Sequence, residues 1–426
     1  MRTFLIVWIG QVISVIGSGI TTFALGLWVY QQTNSVTQFA LIAFFATLPA
    51  IFISPLAGVL VDRYDRRWMM IIGDTGAALS TLLVAVLFFN DRLEIWHIYL
   101  VATLNTTFST IQIPAYFASI TQLVDKEQYG RVGGMVQLAQ AIGEILAPTL
   151  AGILIITLGL GGIILIDVGT FLVATITLLF VRFPQSVENE AQSTEKQSFR
   201  AELIFGWTYI KARPGLMGLL LFLTITTFLW SMIGTLIIPM ILEFTTESIL
   251  GVMISLAGFG FLAGSLVMST WGGPKNRITG VFGFALLGGI FMALIGLRPS
   301  IILVTIGAIG AHFTLPIFNA SNQVIWQNKV PAAIQGRVFA IRQSITRSAA
   351  PLAYLSAGVL ADKVFGPLLV EGGSLANSAG EILGVGQGRG IGLLFIVMGT
   401  MVIITSVLGY LHPRIRLIED ELPDVN

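Results

Sequence analysis

Two ionisable residues stand deep inside otherwise apolar runs. Glu144 lies thirteen residues beyond Arg131, and Arg347 lies ten beyond Arg337. On helices these spacings place them about 20 Å and about 15 Å from the basic ends of their runs. A charge at such depth in hydrocarbon is costly, so a carboxyl there either finds a fixed partner or takes up a proton. Two readings follow. Glu144 is a proton carrier, with Arg347 tuning it or holding an anionic substrate group. Alternatively, the two are structural, as an ion pair or facing internal water. Asp74 and Asp167 lie nearer the ends of their runs and read as interfacial. His312 reads as a proton relay or as a hydrogen-bonded core histidine. Catalysis finds no footing. Cysteine is absent, and His97, His312 and His412 are too scattered for metal-ligand spacing, so no catalytic group, metal or cofactor is expected.

Uncharged polar residues form stripes on four of the runs. Gln11, Ser14, Ser18 and Thr22 fall at i, i+3, i+7 and i+11, on one face of a helix. Asn105, Ser109 and Gln112 mark a second run, Thr224, Thr227, Ser231 and Thr235 a third, and His312, Asn319 and Gln323 a fourth. Such stripes suit a water-filled path, although serine and threonine also bond to their own helix backbone. Phe23, Phe108, Phe228, Trp230 and Phe313 share these runs, so a cavity they line is largely apolar and suits an amphipathic substrate. The substrate-cavity candidates are Gln11, Ser14, Ser18, Asn105, Gln112, Thr227, Trp230, His312 and Asn319.

The elements that carry these residues are membrane spans. Of the 426 residues, 55% are hydrophobic and only 11% are charged, and mean hydropathy is +0.87. Soluble domains carry about 25% charged residues. A net charge of +1 offers no electrostatic case for nucleic acid. Apolar runs of about 20 residues divide the chain into twelve spans, near 4–30, 39–61, 68–89, 95–118, 132–158, 162–182, 215–242, 249–271, 278–297, 300–325, 338–361 and 390–411. The first is too long for the apolar part of a cleaved signal. Lys and Arg crowd one set of connections, including Arg63, Arg66, Arg67, Lys126, Lys275, Arg277, Lys329, Arg414 and Arg416. The other set holds Arg92, Arg298, Lys363 and Arg389. This bias predicts cytoplasmic termini. The expected divisions are a half over 1–182, a cytoplasmic linker over 183–214, a second half over 215–411 and a tail over 412–426. In the linker, a polar tract precedes Phe199, Leu203, Trp207 and Ile210 at helical spacing, which reads as a helix on the membrane surface or a plain connection. The glycine-rich stretch Asp362–Arg389 reads as a flexible external loop. It lacks the G-K-[ST] of a phosphate loop, so energy would come from an ion gradient rather than a nucleotide.

The halves repeat. Ala57-Gly58-Val59-Leu60 is echoed at Ala151, Ala263 and Ala357. First and third copies are 206 residues apart, as are second and fourth, and Gly130-Arg131-Val132 returns at Gly336 with the same offset. Four three-helix units arranged as two halves are the economical reading, and nested repeats of this kind build transporters.

After the second span the chain reads A-G-V-L-V-D-R-Y-D-R-R. Set beside twelve spans and a central loop, Gly58, Asp62, Arg63, Arg66 and Arg67 in this turn resemble the major facilitator superfamily over essentially the whole chain. The branch most similar is that of macrolide efflux proteins and enterobactin exporters. Asp65 stands where many members have glycine, and the matching turn of the second half, Met268–Arg277, lacks the aspartate. The resemblance implies that the turn is a conformational latch. It also implies that the four striped helices line a central cavity, and that Gly143, Pro148 and Gly152 are a degraded form of an antiporter's glycine-proline pattern.

These readings converge on an all-α multi-pass protein of the inner or plasma membrane. The expected activity is secondary active export of an amphipathic small molecule, such as a drug, macrolide, siderophore or peptide natural product. Protons and membrane lipids are the expected partners, and the protein would work as a monomer by rocking its halves. A lipid or lysophospholipid flippase of the same fold, a membrane-embedded enzyme and a non-transporting sensor are the alternatives.

Overall fold

The computed structural model describes residues 2–124, 129–181, 199–331, 334–386 and 388–421. Within helices it describes only the backbone at some positions, among them Gly58, Asp62, Arg63, Arg131 and Glu144. In chain order the helices are α1 (Arg2–Thr33), α2 (Val36–Arg63), α3 (Arg66–Phe89), α4 (Ile95–Leu123), α5 (Tyr129–Thr157), α6 (Gly159–Phe180), α7 (Phe199–Lys211), α8 (Pro214–Leu242), α9 (Glu247–Trp271), α10 (Arg277–Leu297), α11 (Ile301–Lys329), α12 (Gln335–Val359), α13 (Ala379–Leu383), α14 (Arg389–Leu411), α15 (Pro413–Arg416) and α16 (Ile418–Glu421). Nine of them, among the described residues, are long and apolar enough to cross a membrane. The other long helices are α4, α5 and α12, which carry Asn105 and Gln112, Gln137 and Glu144, and Arg342 and Arg347.

Local chemistry sets the helix ends. Ser35 accepts a hydrogen bond from the Gln38 N–H at the start of α2, Asp65 from Trp68 at α3, Asn276 from Thr279 at α10 and Ser300 from Leu303 at α11. Each satisfies a backbone donor that the first helical turn leaves open. Pro214 opens α8, where its missing N–H costs nothing.

The chain divides into two compact units, Met1–Ala191 with Thr246–Ser255, and Gln192–Thr245 with Leu256–Asn426. In the first, α1 packs on α5 and α6, and α3 packs on α4 and α6. The second repeats those pairings as α8 on α12 and α14, and α10 on α11 and α14. The offset repeat in the sequence is therefore also a repeat of packing. Two apolar clusters fill the first unit, one around Phe4, Met70 and Leu178 and one around Ile98, Ile163 and Ile164. One cluster around Leu216, Val281 and Trp326 fills the second.

Two connections differ from expectation. The amphipathic linker segment is helical, as α7, but it is not merely laid on a surface. It packs on α12 and α8, buries Ile210 completely, and its Tyr209 hydroxyl donates to the Lys329 carbonyl at 3.2 Å. Trp207, on the same apolar face of the segment, is 40% exposed. The polar tract before α7 lies outside the described residues. The glycine-rich stretch is folded rather than flexible. A π-helical turn (Leu360–Phe365), a 3-10 turn (Gly366–Leu368) and α13 fold it over buried Leu369 and Leu383. Gly384, at φ 93°, and Gly388, at φ 77°, make turns in a region that side chains disfavour, which accounts for part of the glycine content. Buried Arg389 then donates to the Gly296 and Leu297 carbonyls at 3.0 and 3.2 Å, closing the C-terminal end of α10.

Candidate functional site

In the first unit the stripe on α1 faces protein at Gln11 and Ser14, and Thr22 at its far end is exposed. Gln11 and Ser14 are buried, at 8% and 5% exposure. Gln112 on α4 donates from Nε2 to Gln11 Oε1 at 2.8 Å, and Gln11 donates from Nε2 to Asp74 Oδ2 on α3 at 2.9 Å. The approach of α3 and α4 makes this chain possible. A Cβ at Gly73 would fall 2.5 Å from the Gln112 Cβ, so a larger residue there would push the helices apart. Asp74 is 4% exposed and therefore not interfacial. It lies eight residues into α3, about 12 Å along the axis, and turns inward.

One level further along α1, Ser18 donates to Asp167 Oδ1 and Thr81 donates to Asp167 Oδ2, both at 3.3 Å. Asp167 is 2% exposed, which again overturns the interfacial reading. It lines a partly open cavity of about 110 Å³ together with Ser18, Thr21, Thr22, Thr81, Asn105 and Thr106, and apolar walls from α1 to α4. Ser18 and Asn105 thus meet, as their stripes anticipated. Thr21 Oγ1 and Asn105 Oδ1 are buried without hydrogen-bond partners.

At the turn after α2, Asp62, Arg63 and Gly58 have side chains outside the described residues. Asp65 is the N-cap of α3. Arg67 donates from Nε to the Leu178 carbonyl at 2.8 Å and from Nη2 to the Leu179 carbonyl at 2.6 Å. A cation on the last carbonyls of α6 complements the helix dipole. On α5 the described members of the glycine-proline pattern form packing seams. A Cβ on Gly143 would meet Val15 of α1 at 2.7 Å, and one on Gly152 would meet the Glu247 carbonyl at 2.8 Å. Ser248 donates to the Gly152 carbonyl at 3.1 Å. Small residues let helices approach closely in this way. The side chain of Glu144 lies outside the described residues.

In the second unit, Trp230 on α8 and His312 on α11 meet edge to face, with ring centroids 6.3 Å apart. His312 Nδ1 lies 2.9 Å from the Ala308 carbonyl. Thr227 is half-buried and Asn319 is exposed. Arg347 is also exposed on α12. Arg342, five residues earlier, is the inward cation. It donates from Nη2 to Gln323 Oε1 at 2.8 Å and stands 5.2 Å from the Trp326 ring centroid and 4.9 Å from that of Phe339. Its Nη1 is buried with no hydrogen-bond partner. Sequence reasoning singled out neither Arg342 nor the inward turn of Asp74 and Asp167. Their signal was present, as charged residues inside apolar runs.

The profile of the Major Facilitator Superfamily matches residues 7–354. Macrolide efflux protein A of Streptococcus pyogenes is 28% identical over 367 residues, covering 85% of this chain and 90% of that protein. Enterobactin exporter EntS of Shigella flexneri is 26% identical over 232 residues, 51% of this chain and 52% of its own. The crystal structure of nucleoside transporter NupG superposes with a TM-score of 0.70 at 14% identity, covering 96% of this chain and 98% of the other, which establishes likeness of fold. Relatives and branch are those that the turn after the second span pointed to. The chain belongs to the major facilitator superfamily and is a multi-pass membrane transporter, not an enzyme.

Proposed function

We propose that the chain exports an amphipathic small molecule, of the drug, macrolide, siderophore or peptide class, in exchange for protons. In this reading twelve helices, α1 to α6, α8 to α12 and α14, span the cytoplasmic or plasma membrane with both termini inside. Residues 1–182 and 215–411 rock as halves, with 183–214 joining them, and the protein works as a monomer among membrane lipids. Gly58, Asp62, Arg63, Arg66 and Arg67 latch one conformation. Glu144 carries the proton, and Arg347 tunes it or holds an anionic group. Trp230, His312, Thr227 and Asn319 in one half, and Gln11, Ser14, Ser18, Asn105 and Gln112 in the other, contact substrate or the water around it.

The observation that carries the proposal is the polar lining inside apolar helices. Gln11, Asp74 and Gln112 are buried and mutually bonded on α1, α3 and α4, and polar groups at that cost mark a pathway more often than packing. Similarity to proteins named as macrolide and enterobactin exporters supports the substrate class and the outward direction. Rocking of repeated halves is the transport motion that such repeats allow.

The test is proton movement in sealed vesicles that hold the purified protein, followed with a pH dye while amphipathic compounds are added, wild type beside Glu144→Gln. Compound-dependent proton flux that the variant loses is the expected outcome. Compound movement with no proton movement would remove the coupling. Movement of labelled lipid alone would make the protein a flippase.

A further inference from the structure

The cavity around Asp167 is walled by α1, α2, α3, α4 and α6 inside the first unit. Its volume of about 110 Å³ falls well below the roughly 300–1,000 Å³ of pockets that hold drug-sized ligands. It is therefore too small for an amphipathic substrate, yet roomy enough for a few water molecules or one ion.

Its polar wall is mostly oxygen, with the Asn105 amide nitrogen as the exception. Asp167 brings a carboxylate; Ser18, Thr21, Thr22, Thr81 and Thr106 bring hydroxyls; Asn105 brings an amide carbonyl. No Lys, Arg or His is among the residues that line it. Ser18 and Thr81 reach the carboxylate only at 3.3 Å, long for O–H···O bonds, which centre near 2.7–2.8 Å. The donors are thus drawn back around the carboxylate. Thr21, 5% exposed, faces the same carboxylate, and Asn105 Oδ1 is buried without a hydrogen-bond partner. Buried polar atoms in native structures nearly always find a partner, and Asn105 Oδ1 shares its cavity with a carboxylate whose lining includes no cationic side chain.

We propose that Asp167, Ser18, Thr21, Thr81 and Asn105 form a binding site for one small monovalent cation of the sodium class inside the first unit, where Ser18 and Asn105 border the proposed substrate path. Hard cations take carboxylate, carbonyl and hydroxyl oxygens. A single carboxylate balances a single charge, whereas sites for divalent ions gather more carboxylates. Hydroxyls rotate, so Ser18 and Thr81 donate to Asp167 in the empty site and turn their lone pairs to the ion in the filled one. The site goes beyond the proton-coupled export proposed above, whose carrier is Glu144 on another helix.

The test uses the full-length protein in detergent, with no transport substrate. The unfolding midpoint is measured across a sodium chloride titration with choline chloride holding ionic strength constant, and 22Na⁺ binding is counted on the same preparation. A ligand that binds the folded state raises the midpoint by mass action. The expected result is a saturable rise with sodium, one ion bound per chain, both lost in Asp167→Asn. Asn105→Ala is expected to weaken apparent affinity by at least tenfold while keeping the sodium-free midpoint, which guards against a misfolded Asp167 variant. An equal rise with choline would overturn the proposal. A rise with acid alone, lost in Asp167→Asn, would also overturn it by making the site a proton site. Because no substrate is present, neither result depends on whether the exported compound has been found.

Discussion

Gln11 on α1 donates from Nε2 to Asp74 Oδ2 on α3 at 2.9 Å, and both residues are buried. The bond joins two helices sixty-three positions apart in sequence, in surroundings where an unmet carboxylate is expensive. Replacing Gln11 by Leu is expected to lower stability by about 1–3 kcal/mol, and Asp74→Asn in the same background is expected to return part of the loss. A double-mutant cycle on detergent unfolding midpoints measures the coupling. Strict additivity of the two changes would show that the bond contributes nothing.

Arg67 spans two carbonyls of α6 with one guanidinium. Arg67→Met is expected to cost about 1–2 kcal/mol, the loss of a cation at a partly buried helix C-terminus. Arg67→Lys is expected to recover less than half, since an ammonium is a point charge and cannot fork across Leu178 and Leu179. Thermal unfolding of the three proteins decides the ranking.

The two arginines of α12 offer a paired comparison. Arg342→Met removes the contacts to Gln323, Trp326 and Phe339, and it is expected to shift the tryptophan emission and to cost about 1 kcal/mol. Arg347→Met, at an exposed position, is expected to leave both unchanged. Equal effects would contradict the inward placement of Arg342.

Trp230 and His312 meet edge to face, a contact worth about 0.5–1.5 kcal/mol. If the exported amphiphile stacks there, Trp230→Ala is expected to raise its KM by about 3- to 10-fold with the maximal rate little changed. Transport kinetics in vesicles measure the split.

How much of this was legible in the chain differs by level. Helices arise where the apolar runs lie, because hydrocarbon-length runs and Ser35, Asp65 and Asn276 caps are local signals. The packing repeat was legible as the 206-residue offset. Which face a polar residue presents was not. Arg342 and Arg347 differ by about 140° around their helix, and only the neighbours Gln323 and Trp326 determine which of them turns in. Asp74 and Asp167 were misjudged for the same reason. Depth along a helix is legible, but direction around it depends on partners such as Gln11 and Ser18, 63 and 149 residues away. The folded stretch before α14 was missed because its glycines mark turns without telling what the stretch packs on, and burial of Leu369 and the bond from Arg389 to Gly296 depend on distant partners.

The second unit's matching turn lacks an aspartate, and its acid arrives from elsewhere. Glu419 on α16 accepts hydrogen bonds from the backbone N–H groups of Arg277, at 3.2 Å, and Ile278, at 2.9 Å, while its own carbonyl accepts from Lys329 Nζ at 2.6 Å. The first turn of α10 is thus finished by a side chain 142 residues later in the chain. One residue thereby ties the start of α10 to the end of α11, its carboxylate on the first turn of one helix and its carbonyl on the last lysine of the other.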